Sequence, residues 1–284
     1  MIKKAADILD LKSGKISLLT ARGFNSLALL KTSSDAAHKY PEYPEVVVKF
    51  LRRDCPKERF DEIARWHNEN FGKFPVLKSI RFQQSLEAGI YTDKYGKTYF
   101  YSVVEYICGT VLQDFIDLAV PLNKSLCKSI VVQLFESIII PAWACGLTFP
   151  DIQGRNFILR NSGNLSMLDT EQMRRSAAEI LAKKNSRIAR EMQAHLAFHS
   201  APEKTDFNGP LPRLLKNLLF AAFFPDSQTP GEIKAKIMPA VRKLISDRGL
   251  ADMLMCGRRD ILQSQTSESL ERFLESLFAA CERI

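Results

Sequence analysis

Apolar and polar positions alternate with a strand-like period through the first third of the chain. "KISLLTARGFNSLALLKT" (15–32) reads as two strands around a glycine turn. "YPEYPEVVVKFL" (40–51) is a Pro-bounded turn entering a β-branched strand that carries a single Lys. The spacing turns helical over "KERFDEIARWHNENFG" (57–72), which sets Phe60, Ile63, Ala64 and His67 on one side. "EAGIYTDKYGKTYFYSVVEYI" (87–107) then reads as a strand, a "DKYGK" turn and a second strand. From about Leu112 onward helical patterning dominates, interrupted by one hairpin, "NFILRNSGNLSMLD" (156–169). The pattern predicts an α+β fold in two parts, with the boundary at "CGT" (108–110). Residues 1–108 form a small β-rich part with one helix, and residues 109–284 a larger helical part.

Composition narrows the class. Of 284 residues, 46% are hydrophobic and 25% charged, which describes a globular chain and excludes a disordered or fibrous one. The formal charge is 40 − 32 = +8, which fits phosphorylated substrates, an anionic membrane face or nucleic acid. Six cysteines lie scattered without a C-x-x-C pair, several in apolar runs, and are expected to be reduced thiols. The most apolar stretch, "SIVVQLFESIIIPAWACGLTF" (129–149), holds Gln133, Glu136 and Pro141, so a buried helix is expected and no membrane span. The opening "MIKKAADILDLKSGK" lacks the long apolar core of a signal peptide.

The hairpin changes the picture from a fold to a chemistry. Asp151 precedes it, Asn156 opens it and Asp169 closes it. A carboxylate at Asp151 can take or orient the proton of a substrate hydroxyl. Asn156 and Asp169, brought side by side by the turn, offer the few oxygen ligands that Mg²⁺ uses before completing its shell with phosphate and water. Phosphoryl transfer also needs a cation for the phosphates, and Lys49 on its β-branched strand supplies a compact one. The acid-rich helix that follows offers Asp61, Glu62 and Glu69 as ion-pair partners, of which Glu62 is preferred. Gly23 in "TARGFNSLALL" is the glycine available to a phosphate-covering loop.

"GLTFPDIQGRNFILRNSGNLSMLDTEQM" (146–173) resembles the catalytic loop and metal-binding segment of the protein-kinase-like superfamily. "VVEYICGTVL" (103–112) is similar to that superfamily's hinge. The resemblance covers about residues 18–172 and implies a bilobal fold using ATP and Mg²⁺. It implies that the Glu105 carbonyl and the Ile107 amide hydrogen-bond adenine, with Val104 at the back wall of the pocket. Carried over likewise, Lys49 is the phosphate lysine, Glu62 its partner, Asp151 the catalytic carboxylate, and Asn156 and Asp169 the metal ligands. "LDTEQM" with Glu171 looks more like small-molecule kinases of the aminoglycoside type than like protein kinases. The texture around it is similar to bacterial lipopolysaccharide core heptose kinases.

Three positions depart from the pattern. Phe149 stands where the bracing His is usual, Gln153 where a Lys or His is usual, and Thr170 where D-F-G has Phe. No long activation segment follows Asp169, which argues against a regulated protein kinase. The resemblance to small-molecule and heptose kinases implies a sugar or lipid-linked sugar hydroxyl as the acceptor. An effector-type protein kinase and an inactive pseudokinase scaffold are the alternatives.

Basic residues Arg174, Arg175, Lys183, Lys184, Arg187 and Arg190 follow the hairpin. They suit an anionic sugar, a lipid-linked or acidic protein substrate, or peripheral contact with a membrane face. Nucleic acid is not expected as a partner. The implied location is the cytoplasm, at the inner membrane face, with export as an effector as the other option. His195 and His199 are expected to be structural, because no third ligand accompanies them. "PLPRLLKNLLFAAFFP" (210–225) and "SESLERFLESLFAACERI" (267–284) are expected to be core-packing helices.

Overall fold

The computed structural model describes residues 1–20, 26–51, 82–139, 152–168, 210–246 and 259–284. Within them the chain is α+β. Described residues up to Cys108 form one compact unit, and those from Gly109 onward a second.

The first unit opens on helix α1 (Ile2–Leu9). Strands β1 (Ile16–Thr20), β2 (Ser26–Thr32), β3 (Val46–Leu51), β4 (Ser85–Thr92) and β5 (Thr98–Glu105) follow. They form one antiparallel sheet in the order β1-β2-β3-β5-β4. The β-branched run "VVVKFL" becomes the middle strand, and every residue of it is buried. A strand covered on both faces reads as a continuous apolar run, which is why it lacks the alternation of its neighbours.

Helix α1 has no counterpart among the sequence expectations. Its Ala5, Ile8 and Leu9 sit at the i, i+3, i+4 spacing of one helical face. They pack with Leu30, Val46, Val48, Phe50, Tyr99, Tyr101 and Val103 into a core on one side of the sheet. The helix stops at Asp10, whose backbone turns left-handed (φ 47°), a conformation Asp tolerates better than most residues. Polar bonds pin its outer face to β4 and the β4–β5 turn. Lys4 Nζ donates to Asp93 Oδ2 (2.8 Å), and Tyr91 Oη donates to Asp7 Oδ2 (2.7 Å).

The second unit begins with β6 (Gly109–Val111), α2 (Leu112–Ile116) and α3 (Lys124–Gln133). Asn123 caps α3 by accepting the Leu126 amide (2.8 Å). The helix widens into a π-helical turn, Leu134–Ile139, whose Leu134, Phe135, Ile138 and Ile139 are buried. This apolar segment therefore enters a protein core as far as it is described. After a 3₁₀ turn at Gly154–Asn156, β7 (Phe157–Arg160) and β8 (Leu165–Met167) form the expected hairpin. Strand β6 pairs with β7, giving a three-stranded sheet in the order β6-β7-β8. Gly109 (φ 157°) is needed at its corner, because a Cβ there would lie 2.2 Å from the Leu159 carbonyl oxygen.

Helices α4 (Pro210–Phe223), α5 (Pro230–Ser246) and α6 (Arg259–Glu282) complete the unit. Leu211, Leu214, Leu215, Leu218 and Leu219 of α4 are buried, as are Leu270, Leu274 and Leu277 of α6. Both segments thus pack in the core as their patterns predict. Phe223 and Phe278 meet edge to face at 5.1 Å, and Lys124 bonds Glu282 (2.8 Å) to hold α6 on α3. Cys108, Cys127 and Cys281 are free thiols. Among the described residues no helix is long and apolar enough to cross a membrane.

Candidate functional site

Lys49 lies on β3 and is 8% exposed. Its ladder partners are Leu29 on β2 and Ser102 on β5, and Ser102 in turn pairs with Ala88 on β4. Directly paired residues project from the same face of a sheet, so these four form one row across four strands. Alternation assigns the faces. Val46, Val48 and Phe50 point into the α1 core, while Val47 and Lys49 point the other way. Val104, paired with Val47, shares the Lys49 face and is 2% exposed.

A buried ammonium on an otherwise apolar middle strand is costly unless paired. The same face carries a second polar group, the hydroxyl of Ser102, which is 3% exposed. Among the described residues its Oγ has no hydrogen-bond partner. Unpaired buried polar atoms are uncommon, and each asks for an explanation such as an ordered water or a ligand.

The chain leaves β5 through Glu105, Tyr106 and Ile107, all anchored within the first unit. The Glu105 amide donates to the Gln84 carbonyl (2.9 Å), and the Tyr106 amide to the Glu45 carbonyl (3.1 Å). Lys31 bonds Glu45 (2.7 Å) and lies 3.8 Å from the centre of the Tyr106 ring. Ile107 is buried, and its amide meets no acceptor among the described residues. The Glu105 carbonyl accepts a hydrogen bond from Gln83 Nε2 (2.9 Å). Sequence reasoning did not include that contact, and a Gln ahead of a strand carries no signal for it.

In the second unit Asn156 is 7% exposed at the end of the 3₁₀ turn. Its amide donates to the Gln153 carbonyl (2.9 Å), and its carbonyl accepts the Leu168 amide (2.7 Å). That second bond continues the ladder past the Phe157–Met167 pair and closes the base of the hairpin. The sequence pattern predicts Asn156 beside Asp169; the described chain brings Leu168, the residue before Asp169, onto Asn156. Gly23, Glu62, Asp151, Asp169, residues 174–190, His195 and His199 lie outside the described residues, as do Phe149, Thr170 and Glu171. Among the described residues no group of three or more His, Cys, Asp or Glu side chains could hold a metal ion.

One further titratable cluster sits on the α1 side of the first unit. Glu87 accepts hydrogen bonds from Tyr40 and Tyr101 and pairs with Lys39. Burial disfavours the Glu87 carboxylate, but the bonds from Lys39, Tyr101 and Tyr40 prevail and hold its pKa below the usual value. Burial, reinforced by the Glu87 charge, pushes both phenols up. The cluster satisfies itself, which marks it as a brace between β4, β5 and the 39–40 loop.

No protein-family model matches the chain, and no curated protein matches it.

Proposed function

We propose that this chain is an ATP- and Mg²⁺-dependent phosphotransferase of bilobal, protein-kinase-like fold that phosphorylates a hydroxyl of a sugar or lipid-linked sugar. The observation that carries the reading is Lys49. An ammonium on the buried middle strand of an antiparallel sheet, on the face away from the helical core, is where a cation for a polyphosphate belongs. The residues present fit the nucleotide in two further respects. The Ile107 amide is a donor without an acceptor among the described residues, and Val104 supplies an aliphatic wall on the Lys49 face.

In this reading Lys49 binds the α/β-phosphates with Glu62 as its ion-pair partner, and Gly23 lets the backbone approach them. The Ile107 amide and the Glu105 carbonyl, which keeps a second lone pair beside its bond from Gln83, orient adenine. Asn156 and Asp169 hold Mg²⁺, which when bound neutralises charge developing on the phosphates. Asp151 holds the acceptor hydroxyl and receives its proton. The basic residues of 174–190 attract an anionic acceptor, an anionic lipid surface included.

Thermal unfolding with ATP, with and without Mg²⁺, tests the nucleotide half without knowledge of the acceptor. A ligand at about a hundred times its Kd adds about 2.7 kcal/mol of stability. A Mg²⁺-dependent rise in Tm for the native chain, lost in Asp169→Ala, is expected. No rise at saturating nucleotide overturns the reading. Transfer from labelled ATP then identifies the acceptor class: label on glycan or lipid is expected, and label on polypeptide favours a protein kinase.

A further inference from the structure

Gln133 ends α3, and its side chain reaches across to the β7–β8 hairpin. Its Nε2 donates to the Gly163 carbonyl (2.9 Å), and its Oε1 accepts the Leu165 amide (2.9 Å). The second N–H of the same nitrogen donates to Ser129 Oγ, one turn back on the helix (3.2 Å). Both N–H bonds are used, so the network fixes which end of the amide is oxygen.

The two hairpin groups that Gln133 takes have a specific meaning. Gly163 lies in the turn (φ 80°) and Leu165 opens β8, with its amide on the outer side of the strand, where a neighbouring strand would bond it. β8 is the outer strand of its sheet, so that side has no strand partner among the described residues. One carboxamide stands in for the missing peptide group at the start of β8.

Such a clamp matters because the ladder is short. Three ladder pairs, Phe157–Met167, Ile158–Ser166 and Leu159–Leu165, lie between the turn, where the Arg160 amide bonds the Asn164 carbonyl (2.9 Å) and the Gly163 amide bonds the Arg160 carbonyl (2.9 Å), and the Leu168–Asn156 bond at the base. A slip of one residue would turn every β8 side chain to the opposite face and unseat the Leu168–Asn156 bond. We propose that Gln133 is a positioning residue that fixes the register of β8 on β7, and through it the placement of Asn156 relative to the chain leaving Leu168. The consequence for metal binding rests on the phosphotransferase reading; the consequence for register does not.

Two variants of the full chain test this. Gln133→Met keeps the length and removes all three bonds. Gln133→Glu keeps the acceptor but places a charge against the Gly163 carbonyl. The readouts are hydrogen exchange at the Leu165 amide, the cross-strand NOE between Phe157 and Met167, and the Mg²⁺ concentration giving half of the ATP-dependent Tm shift. We expect faster Leu165 exchange in Gln133→Met, and also in Gln133→Glu, where repulsion from the Gly163 carbonyl drives the side chain off the hairpin and takes the acceptor with it. The Mg²⁺ half-point should rise about 10–100-fold, the usual loss when support for a ligand is removed, with Mg²⁺-free ATP binding unchanged. In Gln133→Glu both defects should recede as pH falls, because the protonated carboxyl can again donate to Gly163. That recovery also decides the matter should Gln133→Met fail to fold. Unchanged Leu165 exchange, or faster exchange with an unmoved Mg²⁺ half-point, overturns the positioning role. If the native chain shows no Mg²⁺ effect, the phosphotransferase reading falls instead. The register role then stands if Gln133→Met loses the Phe157–Met167 NOE, and falls if it keeps it.

Discussion

Lys49 and Ser102 face each other across the β3–β5 ladder, both buried, on the side of the sheet away from α1. Two polar side chains in register on a face that also carries Leu29, Val47, Ala88 and Val104 are poor choices for packing alone. A hydrophobic pair there would pack at lower cost. Their presence is the physical motive for seeking a ligand on this face.

On the proposed phosphotransferase reading, Lys49→Ala should abolish phosphate transfer while the far-ultraviolet circular dichroism spectrum stays native. Transfer at near-normal rate would remove Lys49 from the site.

Ser102→Ala separates a ligand group from a packing group. Removing a buried hydroxyl that has no partner among the described residues relieves a desolvation cost of about 1–3 kcal/mol, so the free protein should be as stable as before or more so. Urea midpoints at unchanged slope measure this. A loss above about 1 kcal/mol would show that the hydroxyl is bonded in the free protein.

Gly89 is held small by Tyr101. A Cβ at Gly89 would stand 2.7 Å from the Tyr101 hydroxyl oxygen and 2.8 Å from its Cζ, and the ring is buried. Gly89→Ala should therefore destabilise by about 1–3 kcal/mol, the usual range for overpacking. Adding Tyr101→Phe removes the clashing oxygen, so the two losses should be less than additive in a double-mutant cycle. Simple additivity would mean the strand moves and the ring does not.

Acid should loosen α1. The bond from Lys4 holds the Asp93 carboxyl at about 2, against burial and with help from the Lys97 and Tyr95 amides. A depressed folded pKa contributes stability that is complete above the unfolded value, about 3.9, and is lost as pH falls toward the folded one. Tm measured downward from about pH 5 should fall more steeply in the native chain than in Asp93→Asn. Equal slopes would mean the pair adds nothing to folding.

Thiol labelling should discriminate by burial. Cys108 is exposed, whereas burial pushes the Cys127 thiol up to about 12 and the Cys281 thiol up to about 11. Peptide mapping after brief alkylation at neutral pH should find Cys108 modified and the other two intact until the protein unfolds. Early loss of Cys127 would contradict its place in the core.

The sequence by itself determined the local elements of this protein. The paired strands around residues 15–32 and 87–107, the β-branched strand carrying Lys49, the hairpin after Asn156 and the two C-terminal helices all follow from periodicity and turn residues, which act over a few neighbours. Helix α1 escaped because eight residues with three core positions make too short a period to separate from a polar leader. Tertiary structure alone decided the rest. It set β5 beside β3 and put β4 at the edge, so that Ser102 came opposite Lys49. It also brought Gln133 onto Gly163 and Leu165 from thirty or more positions away, and Gln83 onto Glu105. The Gln contacts are long-range hydrogen bonds. A Gln carries no periodic trace of its partner, because the bond depends on which surfaces hydrophobic packing has already brought together.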